Sequence, residues 1–201
     1  MRLVSSVAVA WAISVAGQAS AQARIPCRSA PGTTTIAHST TARIFEDERD
    51  GNDYACLYSD GHAHYLSSSE HYEYRLVRFA GSYVAFVQNI EAVDDHVGVM
   101  NLRTGRVGND QEVRPIDNAV CPQVDSLVLK SDGAVAWIAT NFLAEGFCEN
   151  PPGPAIEVRR HDRRGLHVVD HGTGIVPTSL HLSGSLLRWV DAGHVRSATL
   201  L

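Results

Sequence analysis

Short runs of alternating apolar and polar residues occupy most of the chain. Residues 79–86, 129–137 and 182–189 share one pattern, in which an apolar segment, a tight turn containing glycine and a second apolar segment end on an aromatic residue. Residues 34–45 are a fainter copy of this pattern. Alternation with a period of two, together with many β-branched and aromatic residues, predicts β-strands joined by hairpin turns. No comparable stretch shows a sustained helical period, so we predict an all-β fold.

The aromatic residues that end these hairpins are regularly spaced. These aromatic anchors are Phe45, Phe86, Trp137 and Trp189, and they are separated by 41, 51 and 52 residues. Such a period is typical of a four-stranded propeller blade. The sequence therefore predicts a β-propeller-like domain of about four antiparallel blades, in which the anchors pack blade against blade. The fourth repeat stops after three predicted strands, so we expect an incomplete last blade and a propeller that another segment closes or that stays open.

The hydrophobic pattern also gives approximate strand positions in each repeat. The predicted strands are residues 35–37, 42–45, 54–58 and 63–66; 74–79, 83–87, 97–102 and 107–113; 126–129, 134–138, 156–160 and 166–169; and 179–182, 186–190 and 194–200.

The first 23 residues have the character of a secretion signal. Arg2 precedes an apolar run over residues 3–17, and the small residues that follow offer cleavage after Ala21 or Ala23. The run is shorter than the ~20 residues that a membrane-spanning helix needs. We therefore expect residues 1–23 to be a signal peptide and residues 24–201 to form a single secreted domain without a membrane span.

All four cysteines, Cys27, Cys56, Cys121 and Cys148, lie in the part of the chain predicted to be exported. An even number of cysteines in an oxidising compartment predicts two disulfide bonds, for which three connectivities exist. Pairing in sequence order is favoured, because Cys121 precedes and Cys148 follows one predicted hairpin. Metal binding by these cysteines is disfavoured, since the chain contains no C-x-x-C pair.

The overall charge and composition indicate which classes of partner to expect. The net charge is −5, 19% of the residues are charged and 44% are hydrophobic. This composition favours a compact core and gives no basic stripe for a nucleic acid or an anionic membrane. The local basic run at residues 159–164 is interpreted as a solvated turn.

Two short motifs suggest metal chemistry, but structural roles explain them better. His62, His64 and His71 are close in sequence, yet no acidic or cysteine partner has a diagnostic spacing, so we interpret them as surface histidines. Residues 46–51 alternate carboxylates as a calcium loop does, but they lack the bidentate glutamate at the twelfth position. A solvated hairpin turn is the favoured interpretation.

The Gly-Ser pairs at residues 81–82 and 184–185 suggest a nucleophilic serine, but neither completes the G-x-S-x-G motif. Both pairs occupy the same turn of the repeat, which indicates a structural role. The sequence therefore predicts no catalytic residue, no metal site and no cofactor.

Residues 130–138, followed by residues 156–162 and Gly165, resemble the TolB-type repeat of WD-like β-propellers. That repeat places a Pro-Asp-Gly turn before an apolar strand with an aromatic residue, and then a strand that ends in Asp and Gly. Here Ser131 stands where the proline is usual. The resemblance implies a propeller fold and a role as an interaction scaffold, although some such repeats are fused to peptidases. It implies no catalytic residue in this chain.

We therefore predict a secreted or cell-surface, non-catalytic interaction or scaffold module with an unidentified protein or carbohydrate ligand and no nucleic-acid partner. The insertion at residues 140–154, with Phe142, Leu143 and Phe147, is a candidate contact loop. Two alternatives remain open. One is a hydrolase or metal-dependent binding protein with a site on the axial loops, and the other is an open half-propeller completed by a second copy in a homodimer.

Overall fold

The computed structural model describes residues 27–28, 31–68, 72–90, 94–112, 122–141 and 156–201. These residues form fifteen strands in four antiparallel sheets, and the strands of each sheet are neighbours in chain order. The prediction of an all-β fold with four sheets, the last of three strands, is confirmed.

The strand positions agree with the sequence prediction to within a few residues. Sheet 1 contains β1 (Thr33–His38), β2 (Ala42–Asp47), β3 (Asn52–Leu57) and β4 (Ala63–Ser68). Sheet 2 contains β5 (Tyr72–Ala80), β6 (Tyr83–Ile90), β7 (Asp94–Asn101) and β8 (Arg106–Glu112). Sheet 3 contains β9 (Pro122–Leu129), β10 (Val135–Asn141), β11 (Ile156–Asp162) and β12 (Gly165–His171). Sheet 4 contains β13 (His181–Ser183), β14 (Leu186–Asp191) and β15 (His194–Thr199).

The sheets pack face to face in chain order. Because successive side chains of a strand point to opposite faces, a strand that is apolar on both faces can bury residues against two neighbouring sheets. Sheets 2 and 3 do so, and their two faces contribute to different hydrophobic clusters. Buried residues of the three interfaces are Ile44, Val84 and Met100 for sheets 1 and 2, Val87, Val99 and Val135 for sheets 2 and 3, and Ile138, Val158 and Leu187 for sheets 3 and 4.

The four aromatic anchors lie on the second strand of their sheets and are at most 3% exposed. Phe86, Trp137 and Trp189 each pack against the sheet that precedes their own. Phe45 has no preceding sheet among the described residues, and it packs instead with the Cys27–Cys56 disulfide bond. The predicted packing of sheet against sheet is confirmed for Phe86, Trp137 and Trp189, and it is wrong for Phe45.

The outer face of sheet 1 is covered by the chain around Cys27. The Cys27–Cys56 bond joins this segment to β3, with the two Cα atoms 5.7 Å apart. The Arg43 guanidinium is buried beneath the segment and lies 3.9 Å from the centroid of the Phe45 ring. It donates to the carbonyl oxygens of Cys27 at 2.6 Å and Arg28 at 2.9 Å. Arg43 thus satisfies the carbonyl oxygens of the segment that covers sheet 1, of which that of Cys27 is buried.

The first of the predicted disulfide bonds is confirmed by this pairing. Cys121 and Cys148 lie outside the described residues, as do the predicted signal peptide and the candidate contact loop at residues 142–154.

The outer face of sheet 4 is not covered by any described residue. Strand β15 is exposed along most of its length, and Val195 is 70% exposed. No hydrophobic cluster of the described residues joins sheet 4 to sheet 1. Among the described residues, the hydrophobic contacts therefore run serially from sheet 1 to sheet 4.

The hairpin turns give the stack two different ends. We call the end that carries the β1–β2, β3–β4 and equivalent turns of each sheet the turn end, and the opposite one the loop end. At the turn end, Gly133 has a φ of 93°, and a Cβ atom on it would lie 2.7 Å from the Tyr83 ring of sheet 2. Gly105 likewise lies against the His64 imidazole of sheet 1. These glycines let neighbouring sheets approach closely, beyond the positive φ that the turns require.

We expect Gly133→Ala to destabilise the protein more than the matched change Gly165→Ala. Gly165 also has a φ of 93°, but a Cβ atom on it would meet nothing within 4 Å. Both variants carry the backbone strain, about 1–2 kcal/mol, and only Gly133→Ala adds overpacking of about 1–3 kcal/mol. Urea denaturation measures the difference in the free energy of unfolding, and equal losses would contradict close contact between the sheets.

We expect the double variant Cys27→Ala/Cys56→Ala to lose about 3 kcal/mol of the free energy of unfolding. The bond closes a loop with a sequence separation of 29 residues, and its removal frees the unfolded chain. Urea denaturation of the variant against the oxidised wild-type protein measures the loss. A change below about 0.5 kcal/mol, the usual range for neutral surface substitutions, would refute a stabilising role for the bond.

Candidate functional site

A cleft of about 870 Å³ opens at the turn end between sheets 2 and 3. Sheet 2 contributes Tyr83 and Val99 to its wall, sheet 3 contributes Ala134, and Ser185 and Leu201 lie on the side of sheet 4. A volume of this size is within the ~300–1,000 Å³ typical of small-molecule sites. Three sheets thus meet at one concave surface.

The turn between β9 and β10 supplies one charged side of the cleft. The backbone N–H of Lys130 donates to the carbonyl oxygen of Ala134 at 2.8 Å, and that of Gly133 donates to Lys130 at 3.0 Å. The Asp132 carboxylate accepts the Ala134 N–H at 3.2 Å, which is the usual way in which aspartate stabilises a turn. This is the Ser-Asp-Gly turn of the repeat, and it fixes the positions of Lys130 and Asp132.

Both carboxylates of the cleft are compensated within the protein. Asp132 pairs with the Lys130 ammonium at 2.8 Å, and Asp162 accepts the backbone N–H groups of Arg164 at 2.9 Å and Leu201 at 3.0 Å. Burial alone would raise the pKa of each carboxyl, but these hydrogen bonds outweigh burial and lower both pKa values. Both groups are therefore ionised at neutral pH and are poor proton donors.

Two guanidinium groups of the cleft are not compensated. Arg106 on sheet 2 and Arg163 on sheet 3 line the cleft and are exposed. Neither guanidinium forms a hydrogen bond or ion pair with another described residue. Burial lowers the pKa of His161, which also lines the cleft, so its imidazole is neutral at pH 7. The charge that remains available in the cleft is positive.

A second polar cluster lies between sheets 1 and 2 toward the loop end. Asp53 is 1% exposed, and its Oδ2 accepts the Ser67 hydroxyl at 3.2 Å. The hydroxyls of Ser67 and Tyr74 are hydrogen-bonded to each other. Asp53 Oδ1 has no hydrogen-bond partner among the described residues. Burial is the main reason that the pKa of Asp53 is raised to about 6. Burial is also the main reason that the pKa of Tyr74 is raised.

Asp95 lies in a similar position between sheets 2 and 3, but it is fully paired. Its Oδ2 accepts the Arg75 guanidinium at 2.5 Å and the Val124 N–H at 2.7 Å, and its Oδ1 accepts the Asn89 amide at 2.9 Å. Within the described ranges, no group of three or more His, Cys, Asp or Glu residues could hold a metal ion. We interpret both buried acids as polar contacts that join neighbouring sheets.

The structure places the histidine motif on the edge of sheet 1. His62 is exposed, His64 is half-buried against Gly105, and His71 lies outside the described residues. His62 is thus a surface histidine as predicted, whereas His64 packs against sheet 2.

The acidic motif at residues 46–51 forms the turn between β2 and β3. Glu48 accepts the Thr34 hydroxyl at 3.0 Å, and Asp50 accepts the Tyr54 hydroxyl at 2.6 Å. These carboxylates are used by local hydrogen bonds, and the predicted hairpin turn is confirmed. The two Gly-Ser pairs also occupy the predicted turns, between β5 and β6 and between β13 and β14.

The interpretation of residues 159–164 as a solvated turn is wrong for the first half of this run. Arg159 is 7% exposed, and its Nε lies 2.5 Å from Glu157 Oε2, also buried. Arg160 lies 3.6 Å from the buried carboxylate of Asp162. The first four residues of β11 are all buried, and only Arg163 and Arg164 belong to the exposed turn.

The sequence pattern did not predict the cleft. One available signal was that the turn at residues 130–134 carries Lys and Asp where the equivalent turns of sheets 2 and 4 carry only small residues. Arg106 and Arg163 gave no signal, because single arginines beside turns usually face solvent. Asp53 was missed for the same reason, since an acid near a hairpin is usually exposed.

We expect Asp53→Asn to stabilise the protein at pH 7 by about 2–3 kcal/mol and to have little effect below pH 4. The pKa of Asp53 is raised from 3.8 in its reference state to about 6 in the folded protein, so the folded state binds the proton more tightly. The contribution of Asp53 to the free energy of unfolding is therefore fully present below pH 4, and it is lost as the pH rises through 6. Urea denaturation at several pH values measures the difference between variant and wild type.

Asp60→Asn, which removes a carboxylate from a hairpin turn, is the control for that comparison. A difference between Asp53→Asn and wild type that does not change from pH 4 to pH 7 would show that Asp53 is not buried as an acid.

Comparison with known proteins assigns no family to this chain. No protein-family model matches the sequence, and no curated protein is significantly similar to it. The described residues include no helix of the length and hydropathy needed to span a membrane. Any functional conclusion therefore depends on the geometry of the site.

Proposed function

We propose that this protein is a secreted, non-catalytic binding module of β-propeller-like architecture, and that the turn-end cleft is its ligand site. The proposal depends on one observation, which is that side chains from three sheets line a single concave surface. At this surface the repeats differ from one another in sequence. Residues needed for the repeat recur at equivalent positions, whereas ligand contacts are needed only once. Arg106 and Arg163 belong to the second kind.

Binding is favoured over catalysis by the protonation states in the cleft. Asp132 and Asp162 have lowered pKa values and are held by internal hydrogen bonds. An acid–base catalyst needs a group whose pKa lies near the working pH. Burial lowers the pKa of His161, which places it further below neutral pH. The charged groups of the cleft are better suited to attract and orient a ligand.

Secretion is supported by the disulfide bond and by the character of the first 23 residues. The Cys27–Cys56 bond is buried in the cover of sheet 1, and such bonds persist in oxidising compartments. The bond is compatible with a location outside the cytoplasm, and the apolar run at residues 3–17 supplies the route there.

Propeller-like stacking is supported by the order of the sheets. The first strands of neighbouring sheets contact one another, β1 with β5, β5 with β9 and β9 with β13, as inner strands around a shared axis would. The TolB-type repeat accounts for the Ser-Asp-Gly turn and the aromatic anchor of sheet 3. Four sheets whose end faces do not meet among the described residues fit an open form of this architecture.

We expect Ser185→Trp to abolish ligand binding and Ser59→Trp to leave it intact. Ser185 lines the cleft, so an indole there would fill it, whereas Ser59 is an exposed turn residue of sheet 1. The measurement is binding of the fluorescently labelled protein to arrays of saccharides and peptides, with thermal denaturation to confirm that both variants fold. Binding that survives Ser185→Trp would refute the cleft as the site, and turnover of a bound ligand would refute a non-catalytic role.

A further inference from the structure

Some charged groups of the turn-end cleft already have partners within the protein and others do not. This difference indicates the kind of ligand that the cleft would bind. Its two carboxylates already have donors, namely Lys130 for Asp132 and two backbone N–H groups for Asp162. The Lys130 ammonium is occupied in turn by Asp132 and by the Leu200 carbonyl oxygen at 3.4 Å. The charges of these groups are therefore compensated without a ligand.

Arg106 and Arg163 have no such partners. Each guanidinium presents a planar set of N–H donors, and neither donates to a described residue. One belongs to β8 of sheet 2 and the other to the turn after β11 of sheet 3, so they approach the cleft from different sheets. An arginine fork matches a carboxylate or phosphate through two parallel hydrogen bonds. The complementary ligand group is an oxyanion.

The rest of the cleft is suited to a small, hydroxylated molecule. Tyr83 contributes an aromatic ring, and Thr104 and Ser185 contribute hydroxyl groups. Rings of this kind pack on the apolar face of a ligand, and hydroxyls exchange hydrogen bonds with polar groups around it. The carboxylates of Asp132 and Asp162 retain further acceptor capacity for hydroxyl donors.

Building on the proposed binding function, we infer that the cleft binds an acidic sugar, in which a carboxylate or phosphate group is held between Arg106 and Arg163. The sugar ring lies toward Tyr83, and its hydroxyls face the neutral and acidic groups of the cleft. Recognition then requires both the oxyanion and the ring. Neither inorganic phosphate nor a neutral sugar supplies the complete set of contacts.

The test is a titration of the ¹⁵N-labelled protein, monitored by the backbone amide resonances, with four probes. Glucuronate and glucose 6-phosphate carry the two kinds of oxyanion, glucose is the neutral control and inorganic phosphate is the control without a ring. We expect either acidic sugar to shift the resonances of Tyr83, Gly133 and Arg163, and to bind more weakly as the salt concentration rises. The stronger of the two identifies the oxyanion that the cleft prefers.

Arg106→Gln and Arg163→Gln should each weaken acidic-sugar binding by about tenfold or more, as expected for loss of a charged hydrogen bond. Arg188→Gln is the matched control, because it removes the same exposed charge from β14 outside the cleft. It should leave the affinity unchanged.

Three results would overturn the inference. Glucose binding in the cleft as tightly as the acidic sugars would show that charge is not recognised, although the proposed binding function would stand. Inorganic phosphate binding as tightly as glucose 6-phosphate would show that the ring is not recognised. A failure of all four probes to shift the cleft resonances would reject an acidic sugar, and the array measurement would then decide separately whether the cleft binds any ligand.

Discussion

The structure depends on the packing of sheets 2, 3 and 4 each against the sheet before it, through an aromatic anchor on the second strand. Burying a large apolar side chain contributes about 1.5–3 kcal/mol, and removing a buried tryptophan costs about 3–5 kcal/mol. Trp137 is fully buried between sheets 2 and 3, and Trp189 is buried between sheets 3 and 4. A single antiparallel sheet of four strands has little core of its own, so the stack is stable only because neighbouring sheets share one.

A serial stack leaves two end faces, and the chain treats them differently. At sheet 1, the Cys27–Cys56 bond, the Phe45 ring and the buried Arg43 guanidinium form a cover that satisfies the backbone as well as the apolar surface. At sheet 4, β14 and β15 present a mixed polar and apolar face to solvent. The covered end uses part of the chain before the first strand, so Cys27 lies outside the repeats while its partner Cys56 lies in β3.

The repeat determined how much of the fold could be predicted. Strand alternation and the spacing of Phe45, Phe86, Trp137 and Trp189 predicted the four sheets, their order and the short fourth sheet, because these features repeat and each copy supports the others. The cleft could not be predicted, because Arg106 and Arg163 are distant in sequence and meet only through packing of the sheets. The pairing of Arg159 with Glu157 was missed because charged residues on a strand give no sign of which face is buried.

Trp137 and Trp189 are buried between sheets, and tryptophan fluorescence tests this burial most directly. A chain that lacks residues 1–23 keeps Trp137 and Trp189 as its only tryptophans, since the third is Trp11. The measurement is quenching of their emission by acrylamide in the folded protein and in concentrated urea. We predict a blue-shifted emission that acrylamide hardly quenches until urea unfolds the chain. Emission that is already red-shifted and readily quenched in the native protein would contradict the stacked-sheet structure.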